Sequence, residues 1–149
     1  NLGDGSVGAA YLFERSGSGV NSSWEQKSFY FKASNPNPAA AFGQAVVLSS
    51  GGDYLAVSAW GDSSESVGVN GGQNGNRAPG SGAAYIFQRQ GGNDSWRQIA
   101  FVKAPVQAPY LYFGSAMDMA LNGALLGVAG TSLGSRGLIT GNPGIVYLY

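Results

Sequence analysis

The chain has 149 residues, with eight basic side chains against eight acidic ones and 25 glycines. Only 11% of the residues are charged, so no basic or acidic field exists to gather nucleic acid or an anionic membrane surface. Cysteine and histidine are both absent, which removes thiolate nucleophiles, disulfides, imidazole bases and the usual zinc ligands together. Most enzyme mechanisms lose their usual groups, and a non-enzymatic role is expected. Apolar runs reach only a few residues, far short of the roughly 20 needed to span a bilayer, so membrane insertion is not expected. The absence of disulfides suits the cytosol and also many bacterial surface proteins.

Taken in chain order, the predicted elements are short strands divided by turn residues. The run from Ala9 to Glu14 places Tyr11 and Phe13 on one face and Ala10 and Leu12 on the other. A second strand, Glu25 to Ala33, carries Phe29, Tyr30 and Phe31. Gly43 to Ser49 then leads through Ser50-Gly51-Gly52-Asp53 into a strand containing Leu55 and Val57. After a long Gly/Asn-rich loop, Gly61 to Ser81, the series begins again. Ala84 to Gln88 repeats the first strand, Arg97 to Ala104 the second and Gly114 to Leu121 the third. Asn122-Gly123 predicts a two-residue hairpin turn, because both central positions of a type I′ turn need positive φ. A third run of the first type, Ile145 to Tyr149, completes the sequence.

The recurrence is regular. Tyr11 answers Tyr85, Trp24 answers Trp96, Lys32-Ala33 answers Lys103-Ala104, and Phe42-Gly43 answers Phe113-Gly114, each about seventy residues on. Apolar residues on both faces of the strands imply a sheet lying between two others. No helical period survives the Gly, Pro and alternating β pattern. The chain is therefore predicted to be all-β, built from β-propeller blades of four antiparallel strands, with a β-sandwich as the competing architecture.

These same residues carry a family resemblance. Phe42-Gly43, then Leu55 to Ala59 and Gly82 to Phe87, resemble the FG-GAP repeat, the blade unit of integrin α-subunit propellers and of many bacterial surface and secreted proteins. The likeness is strongest to the bacterial repeats and covers nearly the whole chain. It implies that the strand opening with Phe-Gly is innermost in its blade and the Trp-x-Gln strand outermost. On that reading residues 1–34 hold the outer strands of one blade, 42–104 a complete blade and 113–149 the inner three strands of the next. Nine strands do not close a ring, so completion is expected either from the remaining blades of a longer chain or from further copies of this one.

Departures from the family pattern limit what it implies. The proline of the Gly-Ala-Pro element is missing from Ser58-Ala59-Trp60 and from Ala129-Gly130-Thr131. Calcium-binding members carry alternating acids in the turn between the first two blade strands. Here that turn holds Asp53 alone in one copy and no acid in the other. A calcium ion takes six to eight oxygens, so no calcium site of the integrin type, and no other cofactor, is expected.

Candidate binding positions cluster around the long loop. Trp60 sits where the chain leaves its sheet, a place to stack on a sugar ring with Asp62, Glu65, Asn70, Gln73, Asn74 and Arg77 as polar partners. The competing reading is that Trp60 seals the space between blades. Tyr110 and Tyr112, before the second Phe-Gly, offer the same choice between an adhesive patch and an interface seal. The counterpart loop, Thr131 to Pro143, is shorter and nearly uncharged, which argues against a repeated site. Asp118 stands where the first copy has Val47, as a buried hydrogen-bond anchor, as an acid of raised pKa, or facing solvent or a neighbour. Asn21-Ser22-Ser23 and Asn93-Asp94-Ser95 are sequons that would carry glycans in a secreted eukaryotic protein and are ordinary turns in a bacterial one.

The expectation is a non-catalytic, extracellular or cell-surface propeller module for adhesion or for protein or glycan binding. Two alternatives stand beside it. One is a structural subunit of a self-assembled ring or surface fibre; the other is an accessory domain of a larger secreted hydrolase or lyase.

Overall fold

A computed structural model describes residues 7–91, 95–131 and 144–149. Its strands are β1 (Ala10–Ser16), β2 (Ser23–Phe31), β3 (Phe42–Leu48), β4 (Tyr54–Ala59), β5 (Ala83–Arg89), β6 (Trp96–Val102), β7 (Ala116–Ala120), β8 (Leu125–Gly130) and β9 (Ile145–Leu148). Among the described residues helix is limited to two three-residue 3-10 turns, Gly19–Asn21 and Leu121–Gly123. The all-β expectation therefore holds. The strands form three antiparallel sheets, β1-β2, β3-β4-β5-β6 and β7-β8-β9, none of them closed into a barrel.

Side-chain alternation explains how the sheets stack. In the middle sheet Leu55, Val57, Ala59, Tyr85, Phe87 and Phe101 point one way and join Ala10 and Phe31 of the first sheet in one core. Ala56, Ala84 and Val102 point the other way and meet Leu126 and Val128 of the third sheet, together with Phe113 ahead of it, in a second core. β4 is accordingly buried from Leu55 to Ala59 without a break, since both its faces are covered. A bulge between Ile86 and Phe87 lets Trp96 and Phe101 share the face toward the first sheet although they stand an odd number of positions apart.

Glycines at the joints let neighbouring sheets approach closely. Gly82 has φ +82°, and a Cβ there would lie 2.2 Å from the Phe113 carbonyl oxygen, so only glycine lets residues 79–82 run beside 110–113. The backbone joint is made by the amides of Tyr110, Tyr112 and Phe113, which donate to the carbonyls of Pro79, Gly80 and Ser81. Gly8, with φ +50°, crosses the Phe42 carbonyl in the same way at the first joint.

One turn differs from expectation. Ala120 pairs with Leu125, so residues 121–124 form a four-residue connection and not a two-residue type I′ turn. Leu121, Asn122 and Gly123 all take positive φ. The left-handed Asn122 turns its Oδ1 to accept the Gly51 amide at 2.8 Å, so the hairpin turns of the second and third sheets are linked one repeat apart.

Candidate functional site

The long connection from β4 to β5 begins at Trp60 and is fastened almost at once by Asp62. This carboxylate is 1% exposed, and its Oδ1 accepts from the Ser64 amide at 3.0 Å, from the Ser64 hydroxyl and from Lys103 Nζ at 2.8 Å. The Lys103 ammonium, itself 2% exposed, also donates to Ser81 Oγ at 2.7 Å and to Ser64 Oγ at 3.2 Å, which uses its three protons. Asp62 Oδ2 lies 3.3 Å from Asn35 Nδ2 and 3.4 Å from the Tyr85 hydroxyl, whose proton goes to Asn35 Oδ1. Burial by itself raises the Asp62 pKa, but the charge of Lys103 and the hydrogen bonds from Lys103 and Ser64 outweigh it and hold the carboxyl below its ordinary 3.8. Burial, followed by the nearby Asp62 charge, pushes the Tyr85 phenol well above its usual range. The network joins the loop, the outer strand β6 and the segment before β3 into one unit.

Asp62 is therefore not a solvent-facing partner for a sugar. Its place in a Gly/Ser loop after Trp60 suggested exposure, whereas the loop folds back and the carboxylate meets a lysine 41 residues along the chain. Lys103 was visible in the sequence as a repeat landmark but carried no assigned role. Its counterpart Lys32 is exposed and donates to the Gly8 carbonyl at 2.6 Å. Position 133, one repeat after Asp62, is leucine, so the ion pair is not a property of the repeat.

The next part of the loop closes the free edge of the middle sheet. Val69 forms an antiparallel bridge with Val102, and the Lys103 amide donates to the Gly68 carbonyl at 2.8 Å. Asn70, with φ +56°, supplies both its amide, donated to the Phe101 carbonyl, and its Oδ1, which accepts the Phe101 amide at 2.9 Å. Asn70 thus acts as a surrogate strand residue. Glu65 approaches Arg77 at 3.6 Å, and its carbonyl accepts from Gln107. The Gln73 side chain accepts from Ser34, and its carbonyl accepts from Asn35 Nδ2 at 2.9 Å.

Two surface features remain at this end of the sheet. Asn35, Pro36, Asn37, Pro38, Asp62, Gln73, Asn74 and Gly75 line a cleft of about 370 Å³. Close to the start of the loop, half-buried Trp60 packs on half-buried Tyr112 with ring centroids 4.9 Å apart, and Tyr110 follows at 6.4 Å. Residues 52 apart in sequence thus form one aromatic cluster, with Tyr110 39% exposed. Trp60 both seals the joint between the second and third sheets and keeps part of its ring open. Of the nine candidate residues, Trp60, Tyr110 and Tyr112 come together in the cluster, and Gln73, Asn74 and Asp62 border the cleft. Half-buried Glu65 pairs with exposed Arg77, while Asn70 covers the sheet edge.

Asp118 is exposed on the outer face of the third sheet, so it is not a buried anchor. Asn21 is exposed at the end of a 3-10 turn. Asn93 and most of the loop from Thr131 to Pro143 lie outside the described residues. No group of three or more carboxylate, histidine or cysteine side chains suited to a metal occurs among the described residues. No family model matches the chain, and no curated protein or solved structure is significantly similar to it.

Proposed function

We propose that the chain is a non-catalytic recognition module of β-propeller type, related to the FG-GAP repeats, which works outside the cell by binding glycans at the loop end of its middle sheet. Stacked sheets of two, four and three strands, ordered along the chain, support a blade arrangement. The observation that carries the binding role is the Trp60–Tyr112–Tyr110 cluster, whose partly open rings stand at the same sheet end as the amide-rich cleft. Aromatic faces stack on the apolar side of a sugar ring, and amide side chains hydrogen-bond its hydroxyls. The scaffold beneath is rigid, because a buried ion pair and an edge bridge hold the loop before any ligand arrives.

Saturation-transfer NMR with a panel of neutral oligosaccharides tests this reading. Transfer to sugar ring protons is expected from the wild-type protein and is expected to vanish in Trp60→Ala and Tyr112→Ala proteins that keep their circular dichroism. No transfer from any neutral oligosaccharide at millimolar concentration, or transfer unaffected by both substitutions, would overturn it.

A further inference from the structure

The two outermost sheet faces are unlike each other, and each matches a face already used inside the molecule. The outer face of the first sheet presents Tyr11, Phe13, Trp24 and Tyr30, between 51% and 69% exposed. Their repeat equivalents in the middle sheet are Tyr85, Phe87, Trp96 and Phe101. Those four pack against the first sheet. At the far end, the outer face of the third sheet presents Val146 and Leu148, 66% and 69% exposed, around a hollow of about 220 Å³ that small residues Ala116, Gly127 and Ala129 help to line. The corresponding residues of the middle sheet, among them Ala56, Ala84 and Ile86, cover Phe113, Tyr147 and Tyr149.

Within the chain, the face that carries the Tyr85 and Phe87 positions therefore meets the opposite face of the preceding sheet twice, always in the same direction: against Ala10, Leu12, Phe29 and Phe31 at the first joint, and through Tyr147 and Tyr149 against Ala56, Ala84 and Ile86 at the second. We propose that copies of this chain continue that series, the aromatic face of one molecule's first sheet seating on the hollow face of another molecule's third sheet. The occupant is a second copy because the two faces are the two halves of a contact that the chain already makes with itself. The hollow lined by Ala116, Gly127, Ala129 and Val146 gives the exposed rings of the first sheet space to fill. The contact is heterologous, so each added copy exposes a fresh face of each kind, and the product is a ring or an open row. It buries patches of a kind that soluble monomers seldom leave open. This inference is independent of the glycan reading, since neither face includes the Trp60 cluster.

Sedimentation velocity over a range of concentrations tests it with two variants of exposed positions. One carries Tyr11→Asp and Phe13→Asp, and the other carries Val146→Asp and Leu148→Asp. The wild-type protein is expected to pass the mass of two copies as concentration rises, and each variant alone is expected to stay monomeric. Mixed together, the variants are expected to form a one-to-one dimer and nothing larger, since one intact face of each kind remains; that result also shows both variants folded. A wild-type protein that stays monomeric overturns the proposal. So does a wild-type assembly that stops at two copies, or a mixture of the variants that forms no dimer.

Discussion

Lys103 and Asp62 are both almost wholly removed from water, and each such ion loses several kcal/mol of hydration. The structure offsets that loss through geometry, giving the ammonium three oxygen acceptors and the carboxylate donors on both oxygens. Removing one partner leaves the other charged and unpaired. Lys103→Met is expected to cost about 3–5 kcal/mol in urea unfolding, and Lys103→Met with Asp62→Leu to recover most of it, because an apolar pair has no charge to strand. Acid acts on the same contact. A carboxyl held below 3.8 in the fold contributes stability that is complete above the unfolded value and is lost as pH falls through the folded one. Urea midpoints should therefore drop below about pH 4, and the drop should be shallower in Asp62→Asn. Little of this was legible in the sequence. A lone aspartate after a tryptophan in a glycine-rich loop looks like a surface group, and nothing local says which lysine will arrive from across the sheet. The aromatic candidates were more legible, since Trp60, Tyr110 and Tyr112 each stand next to a repeat landmark.

At the scale of elements, the loop from Trp60 to Gly82 is a structural member along half its length. β6 ends its sheet, and an uncovered edge would leave backbone donors and acceptors free to pair with another chain. Residues 68–70 answer three of those groups, with the Asn70 side chain completing what the backbone begins. Asn70→Ala removes an acceptor for the Phe101 amide at a cost of about 1 kcal/mol. Exchange of that amide is expected to accelerate by roughly fivefold to tenfold, while amides in β4 keep their protection, as read by hydrogen-exchange NMR. Strands were readable because alternation and β-branched or aromatic residues agree at every one of them. Their ends moved by a few residues, and the Asn122-Gly123 turn came out longer, because Asn122 is recruited to the neighbouring hairpin at Gly51. Edge covering escaped the sequence altogether, since Asn70-Gly71 carries an ordinary turn signal whichever strand it reaches.

For the molecule as a whole, apolar residues on both faces of one sheet foretold two cores, and both are present. What the pattern did not contain was the spacing between sheets. That depends on a few of the 25 glycines, Gly8 and Gly82 among them, lying where a side chain would strike the next sheet's backbone. The stack also explains why the terminal faces differ, since the two faces of a sheet carry different repeat positions, and the series shows one of each at its ends. The link from Gly51 to Asn122 joins positions 71 residues apart that perform the same task in successive sheets. Such a chain can lengthen by copying. A tandem duplication of residues 42–112 would keep both present joints and add one, between repeat positions that already meet each other elsewhere in the chain, so gene length can change by whole units at the cost of a single new contact.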